Sequence, residues 1–180
     1  MSLLLQVIWF LVPAGVANLV PPIAARLLPR WIYPMDFNLT LRGQRVLGAH
    51  KTMRGLICGT VSAFGVHQLQ ILAALKYDLF SSLAFSKQFH ELWWLGPWLG
   101  FTALSGDAIK SFIKRQWHIS PGQPWLPWDK IDWIIGVLAG SWFFLHFSLT
   151  FIAVAMVTGL LLSTIGRIIG YWLKINQEWL

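Results

Sequence analysis

The chain has 180 residues, of which 56% are hydrophobic and 12% are charged, and its formal net charge is +7. A soluble domain has about 25% charged residues, so this composition predicts an integral membrane protein with a single domain over residues 1–180. The basic residues lie in loops between apolar segments, which favours the lipid bilayer over nucleic acid as their partner. The single cysteine, Cys58, excludes an intrachain disulfide and a cysteine-based metal site.

Apolar segments predict an all-α fold with five transmembrane helices. Uncharged runs cover residues 1–25, 55–75, 92–106 and 133–166, and the third is expected to continue as helix to Lys114. The last run has 34 residues. One helix of that length would measure about 50 Å, against a hydrocarbon core of about 30 Å. We therefore expect two spans there, joined by a turn near His146–Thr150.

Basic residues concentrate in alternate loops. The first and third loops and the C-terminal tail hold twelve Lys and Arg residues, whereas the second loop holds two and the fourth none. The positive-inside rule then puts the N-terminus outside and the C-terminus in the cytoplasm. The protein is therefore expected in the plasma or inner membrane, with its two charged loops on the cytoplasmic side.

Three prolines are expected to kink or break the first helix. Pro13, Pro21 and Pro22 flank Asn18 within an otherwise apolar stretch. Irregular backbone at membrane depth must be covered by protein or line a wet cavity. Two interpretations of Asn18 follow: its side chain lines a functional site, or it hydrogen-bonds backbone that the prolines leave unpaired.

The first loop combines basic, small and hydroxyl residues just before the second span. It begins with PMDF at 34–37, which contains Asp36, and continues to His50, Lys51, Thr52 and Arg54. Backbone N–H groups at a helix N-terminus, together with nearby cations, favour a polyphosphate ligand. Contact with lipid headgroups is the alternative interpretation.

The third loop begins with a polar stripe on a helix. Asp107, Lys110, Ser111 and Lys114 fall at i, i+3, i+4 and i+7, so they share one face, and Arg115 lies at its edge. The segment 121–127 contains too many prolines to be helical. Two further acids follow on one face of the next helix, so two acidic helix ends bracket one turn. These acids are Asp129 and Asp132.

The three aspartates of this region predict a magnesium site at the membrane surface. Carboxylates at a membrane boundary are costly, and Mg²⁺ typically uses one or two carboxylates together with substrate phosphates. Neighbouring Lys and Arg side chains would neutralise phosphate oxygens. A structural interpretation stays open for Lys114, Arg115 and Lys130 as topology anchors, and for Asp129 as a helix cap.

Several blocks of this chain resemble the CDP-archaeol synthase family. They are GAHKTMRG at 48–55, GDAIKSFIKR at 106–115 and PGQPWLPWDKID at 121–132, preceded by PAGVAN at 13–18 and PMDF at 34–37. The blocks occur in order over nearly the whole chain, and they include the five-span plan. The basic and acidic core at 111–132 is also distantly similar to phosphatidate cytidylyltransferases.

The resemblance implies an Mg²⁺-dependent CTP:lipid-phosphate cytidylyltransferase. Such an enzyme joins CTP to a membrane lipid phosphate, an archaetidic-acid-like glycerol ether lipid in archaea, and releases pyrophosphate. It implies that Asp107, Asp129 and Asp132 bind the metal and act in catalysis with Lys110 and Lys114. The nucleotide would contact His50, Lys51, Thr52, Arg54, Ser111 and Arg115, while Asn18 and Asp36 would form the wall of the site.

Two other classes of protein compete with this interpretation. A small transporter would show internal repeats and ionisable groups near the bilayer midplane, and a non-catalytic lipid-binding membrane protein would keep the fold alone. The chain shows no clear repeat, and its charges gather at one face. CDP-alcohol phosphotransferases carry a D-x-x-D-G motif, whereas here Trp133 follows Asp132.

Overall fold

The computed structural model describes residues 1–120 and 123–172, and this part of the chain is mostly helical. Pro121 and Gly122 of the predicted proline-rich segment, and Lys174 of the basic tail, lie outside the described residues. Five helices have 14 to 25 residues: α1 Leu3–Leu27, α2 Met53–Lys76, α5 Leu95–Gln116, α6 Trp128–Ser141 and α7 Leu149–Trp172. The smaller elements are α3 Asp78–Ser81, α4 Gln88–Glu91 and an antiparallel hairpin of β1 Thr40–Leu41 and β2 Gln44–Arg45.

Three helices are long and apolar enough to cross a membrane, namely α1, α2 and α7. Helix α5 has 22 residues, and its second half carries the polar stripe. Helix α6 has 14 residues, which corresponds to a rise of about 21 Å, less than the hydrocarbon core of about 30 Å. The mostly helical fold with membrane-spanning segments agrees with the sequence, and the count of five spans stays a prediction.

Helix α1 runs without interruption through Pro13, Pro21 and Pro22, so a break in this helix is a wrong prediction. Each proline removes one N–H donor, and packing against neighbouring helices offsets that loss. The Pro21 ring itself packs on α2, because a Cβ added at Gly55 would lie 3.1 Å from Pro21 Cβ. Asn18 is half-buried, and its side chain makes no hydrogen bond to any residue in 1–120 or 123–172. The expected repair of freed backbone by Asn18 is therefore not observed.

The last apolar run forms two helices, as predicted, and residues 142–148 separate them. The turn thus begins a few residues before the predicted position at His146–Thr150. Aromatic rings from this turn, from α1, α4 and α7, and from the segment between α3 and α4 pack together at this end of the bundle. Phe10, Phe85, Phe89, Phe147 and Phe151 have ring centroids 4.6–6.4 Å apart.

Helices α5 and α6 touch backbone to backbone at Gly106 and Gly136. A Cβ at Gly106 would lie 2.5 Å from the Asp132 carbonyl oxygen, and one at Gly136 would lie 2.3 Å from that of Thr102. Only glycine allows so close a crossing. The crossing is immediately next to Asp107 and Asp132, so it sets how far apart these two carboxylates are.

Candidate active site

The centre of the candidate site is the ammonium group of Lys110 on α5. Its Nζ lies 3.1 Å from Asp107 Oδ1, 2.9 Å from Asp129 Oδ1 and 2.9 Å from Asp132 Oδ2. Asp107 is one turn earlier on α5, while Asp129 and Asp132 share one face at the start of α6. The structure thus brings the three predicted aspartates together, and they meet on a lysine.

Asp107 joins the first loop to α5. Its Oδ2 accepts a short hydrogen bond from Lys51 Nζ, and Lys51 lies two residues before the start of α2. The backbone carbonyl of Asp107 also accepts a hydrogen bond of 2.9 Å from Ser111 Oγ, within the same stripe. One carboxylate therefore holds cations from two separate parts of the sequence.

Lys114 closes the turn between α5 and α6. Its Nζ donates to the Gln123 carbonyl at 2.6 Å and to both oxygens of Asp129 at 3.1–3.2 Å. Asp129 Oδ2 also accepts from the Trp125 backbone N–H at 2.5 Å, which stabilises the chain entering α6. Lys114 in the last turn of α5 and Asp129 in the first turn of α6 each suit the adjacent helix dipole.

Asp36 organises the first loop and does not join the other aspartates. Its Oδ1 accepts from Arg45 Nη2 at 2.5 Å and from the Asn38 N–H, and its Oδ2 accepts from the N–H groups of Leu47 and Gly48 at 3.1 and 3.2 Å. Burial raises the pKa of this carboxyl, but the hydrogen bonds from Arg45 and from the backbone outweigh burial and hold the pKa below its ordinary value of 3.8. Asp36 therefore acts as a support behind the loop.

A cavity of about 330 Å³ opens between the first loop, α5, the turn before α6, and α7. Five Lys and Arg residues line it against two aspartates, so it suits a ligand with several negative charges. Its lining residues are Leu47, Gly48, Ala49, His50, Lys51, Asp107, Lys110, Ser111, Lys114, Arg115, Gln123, Pro124, Asp129 and Arg167.

Most of the predicted nucleotide contacts line this cavity, and two do not. His50, Lys51, Ser111 and Arg115 are present, as are Lys110, Lys114, Asp107 and Asp129. Thr52 instead caps α2, where its Oγ1 accepts from the Gly55 N–H at 3.2 Å. Arg54 is buried and donates from Nη1 to the Leu28 carbonyl at 2.6 Å, which ties α2 to the end of α1. Neither Asn18 nor Asp36 is among the residues that line the cavity.

Sequence reasoning missed several residues of the cavity. Arg167 reaches it from α7, and Gln123 and Pro124 border it from the turn before α6. In the sequence Arg167 looks like one more topology charge, because it stands alone in an apolar segment. An arginine within an otherwise apolar span often marks a functional site. That property of the sequence could have identified Arg167.

A second, apolar cavity of about 460 Å³ lies between α5 and α6. Its wall is made of Ile, Trp, Gly and Ala residues, and Lys110 and Asp132 are its two charged lining residues. Lys110 therefore borders both cavities, one charged and one apolar. An amphipathic ligand can place its headgroup at Lys110 and its tail along this groove. The apolar wall consists of Gly106, Ile109, Ile113, Trp117, Trp125, Trp128, Ile135, Gly136 and Ala139.

The carboxylates are spaced for an ammonium group. Within residues 1–120 and 123–172, no group of three or more His, Cys, Asp or Glu side chains is arranged to hold a metal ion. The distances of 2.9–3.1 Å around Lys110 are those of ion pairs, whereas Mg²⁺ binds oxygen at about 2.0–2.1 Å. The donor set itself, three carboxylates converging on one positive charge, has the chemistry that Mg²⁺ requires.

Apolar helices that end at a cavity rich in cations, with an apolar groove leading into it, define a membrane protein that handles phosphate esters. The CDP-archaeol synthase family model (CarS-like) matches residues 1–180. This chain belongs to that family. The predicted class of CTP:lipid-phosphate cytidylyltransferase is thereby confirmed, while its dependence on Mg²⁺ stays a prediction. Neither the transporter nor the non-catalytic alternative is favoured.

Individual relatives are similar over nearly their full length. A CDP-archaeol synthase of Methanoregula boonei is 34% identical over 93% of this chain and 99% of its own. That of Methanocaldococcus jannaschii is 30% identical over 98% and 97%. A solved structure of an intramembrane enzyme for archaeal membrane lipid biosynthesis superposes with a TM-score of 0.69 at 28% identity, over 89% of this chain and 92% of that chain.

Proposed function

We propose that this chain transfers a cytidylyl group from CTP to a membrane lipid phosphate of the archaeal type, giving a CDP-activated lipid and pyrophosphate. Family membership supports this reaction. Among the contacts, the observation that carries it is the position of Lys110, which three aspartates hold where the charged cavity meets the apolar groove. A nucleotide triphosphate and a lipid phosphate can meet at that point.

The reaction asks the protein mainly to position its substrates and to neutralise their charge. An oxygen of the lipid phosphate attacks the α-phosphorus of CTP, and the bond to the β-phosphate breaks as pyrophosphate leaves with the electron pair. The lipid phosphate is already ionised near neutral pH, so it needs no general base. Lys51, Lys110, Lys114 and Arg115 border the cavity and neutralise phosphate oxygens there.

Magnesium fits this site through Asp107, Asp129 and Asp132, whose carboxylates already surround one positive charge. When bound, the metal would neutralise negative charge on the triphosphate. With the metal held by these carboxylates, the Lys110 ammonium would be available to pair with phosphate. Asp107 keeps its contact with Lys51, so the first loop stays attached to the site.

The site is proposed to face the cytoplasm, where CTP is available, in a single membrane-embedded domain over residues 1–180 with five spans. The distribution of basic loops supports this orientation. The apolar groove would face the bilayer, so the acceptor would react without leaving the membrane. Its wall contains Trp117, Trp125 and Trp128, and tryptophan favours the membrane interface.

The direct test is incubation of the purified protein with radiolabelled CTP, Mg²⁺ and separate lipid phosphates. The panel contains an unsaturated isoprenoid ether lipid phosphate and a diacyl phosphatidic acid. We expect label to enter the ether lipid in the presence of Mg²⁺ and to disappear when the metal is chelated. Failure of every acceptor to become labelled would refute the proposed reaction, and labelling in full chelator would refute the metal assignment alone.

A further inference from the structure

Lys130 on α6 is a buried lysine whose ammonium group has no hydrogen-bond partner in the described part of the chain. The residue is 7% exposed. The neighbouring Asp129 attracts it, but the Asp129 carboxylate is already occupied by Lys110, Lys114 and the Trp125 N–H. Burying an ammonium group without a hydrogen-bonded partner destabilises the folded state. Lys130 therefore does not contribute to stability through its charge, which indicates a role in binding a ligand.

Arg167 on α7 is a second unpaired cation next to Lys130. It lines the charged cavity and forms no ion pair within the described part of the chain. The two helices are tied here, because Ser163 Oγ, one turn before Arg167, donates to the Lys130 carbonyl at 2.9 Å. The positive charge of Arg167 also acts directly on Lys130. Arg167 lines the cavity, and the buried Lys130 lies behind it as a second, mutually repelling positive charge. Together they favour an anion with more than one negative charge at Arg167.

The chemistry of transfer indicates which anion this is. In the proposed reaction the acceptor arrives along the apolar groove, whose charged lining residues are Lys110 and Asp132. In-line displacement sends the leaving group to the side opposite the attacking oxygen. Lys130 and Asp132 are two positions apart, so they point about 200° apart around α6. Lys130 therefore projects from the side of α6 that faces away from the groove, and Arg167 is not among the residues that line the groove.

We propose that Lys130 and Arg167 form the subsite for the β- and γ-phosphates of CTP, and hence for the departing pyrophosphate. This inference rests on the proposed function, since it names the part of that site which takes the leaving group. Arginine suits the role because its planar guanidinium binds two phosphate oxygens at once, and a buried ammonium adds a point charge behind it. The bound phosphates supply the counter-charge that these two cations lack within residues 1–120 and 123–172.

The test compares nucleotide binding in three single variants without any acceptor. Arg167→Gln and Lys130→Gln each remove one cation of the pair, and Lys87→Gln removes an exposed basic residue from another part of the chain. Equilibrium binding to the purified full chain is measured for CTP, CMP and pyrophosphate. We expect CTP and pyrophosphate affinity to fall about tenfold in each pair variant, with CMP affinity unchanged and Lys87→Gln unchanged throughout. Equal losses for CTP and CMP would overturn the proposal.

A second measurement separates leaving-group binding from binding of the lipid phosphate, which carries the same chemistry. In turnover assays the pair variants should resist inhibition by added pyrophosphate, while the KM for the lipid acceptor stays at the wild-type value. A raised acceptor KM with normal pyrophosphate inhibition would assign the pair to the acceptor and refute the proposal. The binding experiment does not require turnover. It therefore tests the phosphate subsite even if the protein fails to catalyse the proposed reaction.

Thermal unfolding of Lys130→Met keeps the proposal testable if the glutamine variants fold poorly. Removing a buried charge without a partner should raise the Tm of the unliganded protein, because methionine fills a similar volume without the desolvation cost. Pyrophosphate should then stabilise this variant less than it stabilises the wild type. A lower Tm of the unliganded variant would show that Lys130 has a structural partner, and it would overturn the proposal.

Discussion

Each of the three central carboxylates has a partner besides Lys110. Asp107 binds Lys51, Asp129 binds Lys114, and Asp132 accepts from the Trp133 backbone N–H at 2.8 Å. The three aspartates are therefore not equivalent. Asp107 connects the first loop to α5, Asp129 closes the turn before α6, and Asp132 borders the apolar groove. Loss of each should affect a different part of the site.

Replacing Asp107 or Asp132 by asparagine should lower CDP-lipid formation at least about 100-fold, because either change removes a negative charge that holds Lys110 and, in our proposal, the metal. Steady-state turnover with labelled CTP measures this effect. Asp78→Asn is the matched control, since Asp78 is exposed on α3. The assignment would be contradicted if a variant formed CDP-lipid at the wild-type rate. Recovery of normal amounts of the variant in the membrane fraction shows that it is folded and inserted.

Asp36 should contribute to stability in a pH-dependent manner. Its pKa in the folded protein lies below the unfolded value of 3.8, so its contribution is complete above pH 3.8 and is lost as the pH falls through the folded value. Asp36→Asn should therefore lower stability by about 2 kcal/mol at pH 7. The difference from wild type should shrink below pH 3.8, which thermal unfolding in detergent at several pH values can measure.

The same substitution should reveal what the first loop does. Asp36 holds the N–H groups of Leu47 and Gly48, and these residues line the charged cavity. A loosened loop should raise the KM for CTP more than it lowers kcat, because our proposal assigns the loop to positioning the nucleotide. A difference in stability that stayed constant down to the lowest pH would show that the charge of Asp36 is not what supports the loop.

At the scale of whole elements, the crossing of α5 and α6 controls the site. Gly136→Val would put a Cβ 2.3 Å from the Thr102 carbonyl oxygen, so the two helices must move apart. We expect a loss of about 1–3 kcal/mol in stability and a larger proportional loss of turnover, since Asp132 moves away from Lys110. Thermal unfolding and the CTP assay measure the two effects.

Gly65→Val provides the matched control for this crossing. It makes the same exchange within a helix, but a Cβ at Gly65 has nothing within 4 Å. Any effect of valine on helix propensity is therefore common to both variants. If Gly65→Val and Gly136→Val lowered CDP-lipid formation by the same factor, the site would not depend on the close crossing of α5 and α6.

At the scale of the whole molecule, the orientation in the membrane is open to a labelling experiment. Arg42 at the β1–β2 hairpin and Lys87 before α4 are both exposed, and our proposal puts them on opposite sides of the bilayer. In a Cys58→Ser background, a membrane-impermeant maleimide should label Lys87→Cys in intact cells and Arg42→Cys only after permeabilisation. Labelling of Arg42→Cys in intact cells would reverse the proposed orientation.

The polar stripe of α5 shows how far sequence reasoning reached. Helical spacing alone put Asp107, Lys110, Ser111 and Lys114 on one face, and these four residues do line one cavity. The same reasoning assigned Thr52 and Arg54 to the nucleotide, because basic and hydroxyl residues before a helix suggest phosphate binding. Their side chains instead cap α2 and anchor α1. The residue type near the start of a helix does not by itself show whether the side chain will bind a ligand, cap its own helix or contact a neighbouring helix.

The sequence by itself determined the class of molecule, because burial in lipid leaves a signature in composition and in the lengths of uncharged runs. It also determined which residues of α5 and α6 share a face, since helix geometry is local. Only the tertiary structure decided that three carboxylates meet on Lys110, that Asp36 supports the first loop, and that Arg167 reaches the cavity beside Lys130. These contacts join residues far apart in the chain, so they depend on how closely the helices approach.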